Sequence, residues 1–397
     1  MPRFSRLKFT GRGLHFSPAI FPIVARDLLL YRSHENCSTR AHLEATMDWL
    51  CCAQDQSKTG GVSAGFSLLR GWLGPYPETT GYLIPTFFDY AHFTGKEEFC
   101  ERARSMADWE LRLQLESGAV QGGEYHGEAS ERRPAVFDTG QVILGWCRAF
   151  EETADSRYLD AATRAGNWLV SVQSEDGSWP SPYQGPHGRA YDVRTAWGLL
   201  ELNRWSGVPS YLHAAQAAIE WTRSQQNENA WFKRCAFGVA PAWPSLPFTH
   251  CIAYVVEGLL AAWGHLGDEL CWQSAVKTTD QLLAVLDSYG FLPGELDTNW
   301  HSEVTYRCLA GDAQIAAICF RIHSRTGEVP YLLAARLLNK EIKKTQITRS
   351  RHEGIRGGVR GSHPIAGPYA PFTFVNWAAK FFADSLMLEL QSGSEDS

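Results

Sequence analysis

No apolar run in the 397 residues approaches the roughly 18 residues that a membrane-spanning helix needs, so no transmembrane segment is expected. There is no H-E-x-x-H, no paired C-x-x-C and no calcium-loop pattern, which removes the common zinc and calcium sites. Neither a metal nor another cofactor is expected. A serine elbow is missing, and the glycine-rich run GIRGGVRGSHP (354–364) fits neither a Walker loop nor a dinucleotide fingerprint. Positive charge is in short supply: 37 Lys and Arg against 43 Asp and Glu leave a net −6, which argues against a general nucleic-acid binder. Strand-like alternation is nearly absent. The basic start MPRFSRLKF runs into a polar GRG and a Pro-broken AIFPIV, a poor signal peptide. Ten cysteines without C-x-x-C spacing, two of them adjacent (Cys51 and Cys52), then point to reduced thiols and a cytoplasmic setting.

Tryptophan, by contrast, is plentiful, and it recurs in register. Trp49, Trp109, Trp168 and Trp221 each precede a glutamine by five residues: Gln54, Gln114, Gln173 and Gln226. Degenerate copies follow at Gln281–Leu286 and Glu341–Gln346, so the starts are spaced by 60, 59, 53, 60 and 60 residues. A fixed period over a whole chain marks an array of one supersecondary unit. In each unit one helix ends at the Trp–Gln element, as in YLDAATRAGNWLVSVQ. A second, more apolar helix ends at a short stop such as Thr94-Gly95, Ser206-Gly207 or Thr326-Gly327, where glycine supplies the left-handed closing residue. Placing the apolar set inside predicts an all-α (α/α)6 toroid of six helical hairpins. The whole chain, 1–397, is then a single domain, with 1–40 as an N-terminal extension and 391–397 as a flexible tail.

In such a ring the loops that lead into the inner helices open at one end. Counting twelve residues back from each stop gives Tyr82, Gln141, Arg194, Tyr254 and Gln314, all polar or amphipathic on otherwise apolar helices. Fifteen or sixteen back stand Glu78, Asp138, Tyr191 and His250, three or four residues from the first set and so on the same face. Helix capping is an equal alternative for Asp138, Thr139, Asp192 and Asp312. It cannot account for Tyr82, Arg194, His250 or Tyr254. Three loops add candidates: Tyr76 beside Glu78, Asp297 with Trp300, and a long basic loop holding Arg356, Arg360 and Tyr369.

The Q-x-x-x-G-x-W element, Gln173 to Trp179, resembles the QW motif of triterpene cyclases, which also use α/α toroids. Their D-x-D-D and D-D-x-x-D motifs are absent, so that likeness covers scaffold. Over the central half of the chain, the helix ending in VQSEDGSWP and the inner helix TGQVILGWCRAF resemble the C-terminal helical domain of glucuronyl C5-epimerases and toroid proteins of bacterial polysaccharide biosynthesis. Unsaturated glucuronyl hydrolases share the six-hairpin ring and use an Asp at an inner-helix start, a place that Asp138 could match. These resemblances imply a saccharide partner, with an anionic, uronate-type chain as the expected substrate.

The residues point the same way. Trp and Tyr faces stack on sugar rings, while Glu, Asp, Gln and Arg hold hydroxyls and carboxylates. Epimerase or lyase chemistry at C5 needs a base, an acid and a cation on the carboxylate. Tyr82, His250 and Tyr254 are the proton-moving candidates, with Arg194 and Arg356 as the cations. Glycoside hydrolysis needs two carboxyls instead, and Glu78 with Asp138 is the pair for it. Tyr76, Gln141, Tyr191, Asp297, Trp300, Gln314, Arg360 and Tyr369 are expected to line the binding surface. A non-catalytic glycan-binding protein and a terpene cyclase-like enzyme complete the alternatives.

Overall fold

The computed structural model describes residues 20–28, 37–125, 127, 132–180, 188–237 and 246–393. Of the expected extension only 20–28 and 37–40 fall within these, and of the expected tail only 391–393. The helices are α1 (Ile20–Leu28), α2 (Thr39–Ser57), α3 (Pro77–Thr94), α4 (Glu98–Leu113), α5 (Val136–Thr153), α6 (Ser156–Ser171), α7 (Val193–Ser206), α8 (Pro209–Ser224), α9 (Thr249–Leu266), α10 (Glu269–Tyr289), α11 (Leu309–Thr326), α12 (Val329–Thr345) and α13 (Asn376–Gln391).

Helices α3, α5, α7, α9, α11 and α13 stand side by side, and α13 returns to α3 to close an inner ring. Helices α4, α6, α8, α10 and α12 each lean on the inner helix before them, and α2 covers α13. This is the (α/α)6 toroid, with its sixth hairpin assembled from the two ends of the ring. The more apolar helices are indeed inside. Their ends carry left-handed residues: Gly95, Gly207, Gly267 and Gly327, with Ala154 taking the same conformation after α5.

The outer layer is fastened by the repeat itself. The Gln114 carboxamide donates to Gly118 O and to Ala161 O on the next outer helix, each at 2.8 Å. Gln173 does the same with Gly177 O and Ala214 O at 2.9 Å, and Gln54 with Gly60 O and Arg102 O at 3.1 and 3.0 Å. One side chain thus ties the turn after its own helix to a carbonyl of the next outer helix and joins two hairpins. Gly118 has φ +91° and lies so close to the Arg164 carbonyl that a Cβ would collide with it. Only glycine suits both demands. After Gly177, Trp179 is buried and its indole donates to Leu169 O at 2.9 Å, which is why Asp-Gly-Ser-Trp ends that helix.

The loops leading into the inner helices carry the short strands. β1 (Gly65–Ser67) pairs with both β2 (Gly71–Trp72) and β5 (Thr373–Val375), all antiparallel, while β3 (Arg307–Cys308) pairs with β4 (Ser362–His363). They knit the first and last inner-helix loops together at the same end of the ring, and this end forms the mouth.

Candidate active site

The residues counted back from the stops do meet, but as a floor. Tyr82, Gln141, Tyr254 and Gln314 each occupy the sixth position of their helix, Arg194 stands in the first turn of α7, and α13 contributes Phe381 at the same level. All six are at most 2% exposed. Arg194 lies at the centre, its guanidinium 4.9 Å from the Tyr254 ring, 5.8 Å from Phe381 and 5.9 Å from Tyr82. Its Nε donates to Gln141 Oε1 at 2.9 Å and its Nη1 to the Glu257 carboxylate. Arg194 is therefore a sealed counter-charge for Glu257, not a free anion-binding group, because moving it toward a ligand would strand a buried carboxylate.

One turn nearer the mouth the chemistry changes. Glu78, in the first turn of α3, is half-buried. Burial pushes its carboxyl up to about 7, opposed by the Tyr76 hydroxyl, the Arg194 charge and the Tyr254 hydroxyl. Asp138, in the first turn of α5, is 5% exposed and accepts Gly123 N–H at 3.3 Å. Burial and then the Glu78 charge hold it well above the usual carboxylate range. Two carboxyls in one dry place do not ionise independently, so the pair keeps a proton near neutral pH. The helix N-termini beneath them favour the ionised forms, but desolvation wins.

Aromatic side chains surround the pair. Tyr76 meets Trp377 edge-on at 6.3 Å, Phe137 meets Tyr191 at 5.3 Å and Tyr254 at 5.1 Å, and Tyr369 receives the Trp377 indole N–H at 2.8 Å. Burial raises the phenols of Tyr76, Tyr82, Tyr254 and Tyr369 well above 10, so all four remain proton donors. His250 lies 4.2 Å from the Tyr254 ring and 5.6 Å from Tyr369. Burial, together with the Arg194 charge, lowers its imidazole to about 3, which keeps it neutral.

Other expected residues lie elsewhere. Arg360 is 1% exposed and ion-paired to Asp27 of α1 at 2.6 Å; it anchors the loop and does not cover the mouth. Arg356 is exposed and turns to Ser350 O on its own loop. The segment beside it abuts α2, since Gly357 presses on the Ala45 carbonyl. Asp297 closes a turn by accepting Asn299 N–H and His301 N–H at 2.8 and 2.9 Å. Trp300 is buried edge-on against Trp231, and its indole donates to Asn229 O. Both belong to the outer fastening. Thr139 receives Val120 N–H, Asp192 receives Arg189 N–H and Asp312 pairs with Arg307, so these three are caps and ties.

Phe137, Glu257, Phe381 and Trp377 were missed. Glu257 could have been found as the one charge on the buried stretch IAYVVEGLLAA, three residues after Tyr254. Glu110 was missed too: it is wholly buried on α4 with neither carboxyl oxygen hydrogen-bonded, and burial, then Asp138, holds it far above its ordinary value. The corresponding outer-helix positions, four before each Gln, carry Leu50, Leu169, Thr222 and Ile342. Among the described residues no group of three or more His, Cys, Asp or Glu is arranged to hold a metal ion.

No protein-family model and no curated protein matches this sequence. Solved structures do match in fold. An unsaturated glucuronyl hydrolase specific for heparin superposes with a TM-score of 0.69 at 12% identity, over 90% of this chain and 98% of that one. The unsaturated glucuronyl hydrolase of Bacillus sp. GL1 gives 0.67 at 15% identity, over 90% and 97%. The cellobiose 2-epimerase of Bacillus thermoamylovorans B4167 gives 0.64 at 12%, over 93% and 99%. At such identities the likeness establishes the toroid.

Proposed function

We propose that this protein is a saccharide-acting enzyme in which Glu78 and Asp138 form the general acid–base pair, one protonating a glycosidic-type oxygen and the other activating water. The observation that carries it is the linked carboxyl pair at the mouth, Glu78 pushed up to about 7 and Asp138 held well above its ordinary range. Two carboxyls that share a proton near neutral pH can supply an acid and a base together. Proteins with this ring include a glucuronyl hydrolase and a cellobiose 2-epimerase, and the half-buried Tyr76 and Trp377 rings supply stacking surfaces of the kind sugars use. Uronate substrates remain the expected class.

C5 proton abstraction is the second reading, favoured by the Tyr254 hydroxyl beside Glu78. The ten unpaired cysteines support a reducing, cytoplasmic setting, and no described helix is long and apolar enough to cross a membrane. The test is incubation of neutral and uronate-bearing oligosaccharides in deuterated water, followed by mass and proton NMR. Cleavage abolished in Glu78→Gln and Asp138→Asn supports the acid–base pair. Deuterium at C5, or unsaturation, that survives both substitutions moves the chemistry to Tyr254.

A further inference from the structure

Below the carboxyl pair, a chain of hydrogen bonds fixes the state of one histidine. Glu257 is an acceptor only, being paired with Arg194, and it takes the Gln314 Nε2–H at 2.8 Å. That sets the direction of the Gln314 carboxamide, nitrogen toward Glu257 and oxygen toward His250. Gln314 Oε1 lies 2.5 Å from His250 Nδ1. An amide oxygen can only accept, so the hydrogen is on Nδ1, and a neutral imidazole then has a bare lone pair on Nε2.

We propose that Gln314 and Glu257 hold His250 as its Nδ1–H tautomer and that Nε2 reads a hydroxyl donor on the ligand, making this corner of the mouth selective for an uncharged sugar edge. Among the described residues nothing hydrogen-bonds Nε2. Its surroundings are the rings of Tyr254, Tyr369, Phe381 and Phe237, the last 36% exposed. A ligand carboxylate presented to that lone pair would be repelled. Protonating the ring to welcome it is opposed by burial and by Arg194 beneath. Gln314 and Glu257 are thus positioning residues. The tautomer follows from geometry alone; only the identity of the donor rests on the saccharide reading above.

The experiment is imidazole nitrogen NMR on the full chain carrying ring-labelled histidine, with His250→Asn identifying the resonances. A protonated Nδ1 and an unprotonated Nε2, unchanged between pH 8 and pH 5.5, are expected. An Nε2–H tautomer, or a titration with an ordinary midpoint, overturns the proposal. Gln314→Met should release a mixture of tautomers; if it does not fold, Glu257→Gln, which frees the carboxamide to flip, should do the same, and an unchanged single tautomer in the folded variant counts against the relay. Glucose, galactose, rhamnose, cellobiose and glucuronate are then titrated in. At least one neutral sugar should shift Nε2 while leaving it unprotonated. Shifts with glucuronate alone, or with none of the five, overturn the ligand-reading half. These outcomes are independent of whether Glu78→Gln abolishes turnover, so failure of the acid–base assignment is separately visible.

Discussion

In the outer layer of the ring the Trp–Gln pair returns in four of the six units, whereas on the inner helices the aligned positions read Tyr, Gln, Arg, Tyr, Gln and Phe. The Gln54, Gln114 and Gln173 carboxamides all do one job, bridging a turn carbonyl to the next outer helix. Among the inner residues no two have the same partners. Recurrence marks places where every hairpin meets the same mechanical need. Divergence marks the axis, where the six helices look at one another and each must supply a different part.

Substitutions should separate the two layers. The largest effect belongs to the inner layer: Glu78→Gln and Asp138→Asn should each lower turnover by about 10²–10⁴-fold, the usual share of general acid–base catalysis, while the melting temperature does not fall. If either variant unfolds but retains specific activity, the contrast between layers is lost.

Next comes the outer layer. Trp109, 2% exposed and packed on the Gly60-Gly61 turn, should cost about 3–5 kcal/mol as Trp109→Ala, read by urea unfolding, with activity per folded molecule intact. Trp168 is half-buried, so Trp168→Ala should cost less. Gln173→Ala breaks one bridge and should cost about 1–2 kcal/mol.

Glu110 sharpens the contrast from the other side, since it is an outer-layer residue that breaks the repeat. Replacing its unpaired buried carboxyl by the leucine that neighbouring hairpins use should raise stability by about 1–3 kcal/mol at pH 7. A loss of stability would mean that the carboxyl is paired in solution.

The remaining test is a pH slope. Glu78 has its folded value raised to about 7 from an ordinary 4.5. Between those values the unfolded chain has released a proton that the folded one still binds, so stability falls as pH rises through that window. Glu78→Gln should flatten the slope between pH 4.5 and 7 in thermal melts, and a parallel curve would place Glu78 in water.

The ring was legible because its signals are local and repeated: an amphipathic helix, a Trp–Gln pair, a glycine stop. The inner column was legible because polar side chains are conspicuous on apolar helices. Its depth was not, because spacing along a helix gives a face and not a distance to solvent; hence Arg194 looked free when Glu257 already held it. Phe381 escaped because the Ser392-Gly393 stop after α13 was left out of the count, and twelve residues back from it stands the neighbouring Lys380. Arg360 and Arg356 misled for a related reason, since a basic glycine loop reads alike whether its arginines reach a ligand, solvent or a buried Asp27.

The sixth hairpin has a consequence for synthesis. Its two helices lie at opposite ends of the ring's chain, and the bond from Asn376 to Ser63 O spans 313 residues. While the ribosome is still working, α2 has no inner helix to cover, and the flanks of α3 and α11 that α13 will occupy stay bare. The nascent protein is an open arc with an apolar edge at each end. It becomes a ring only when α13 emerges, so a stop codon shortly before residue 376 should yield not a weaker ring but a sticky crescent, prone to join others of its kind edge to edge.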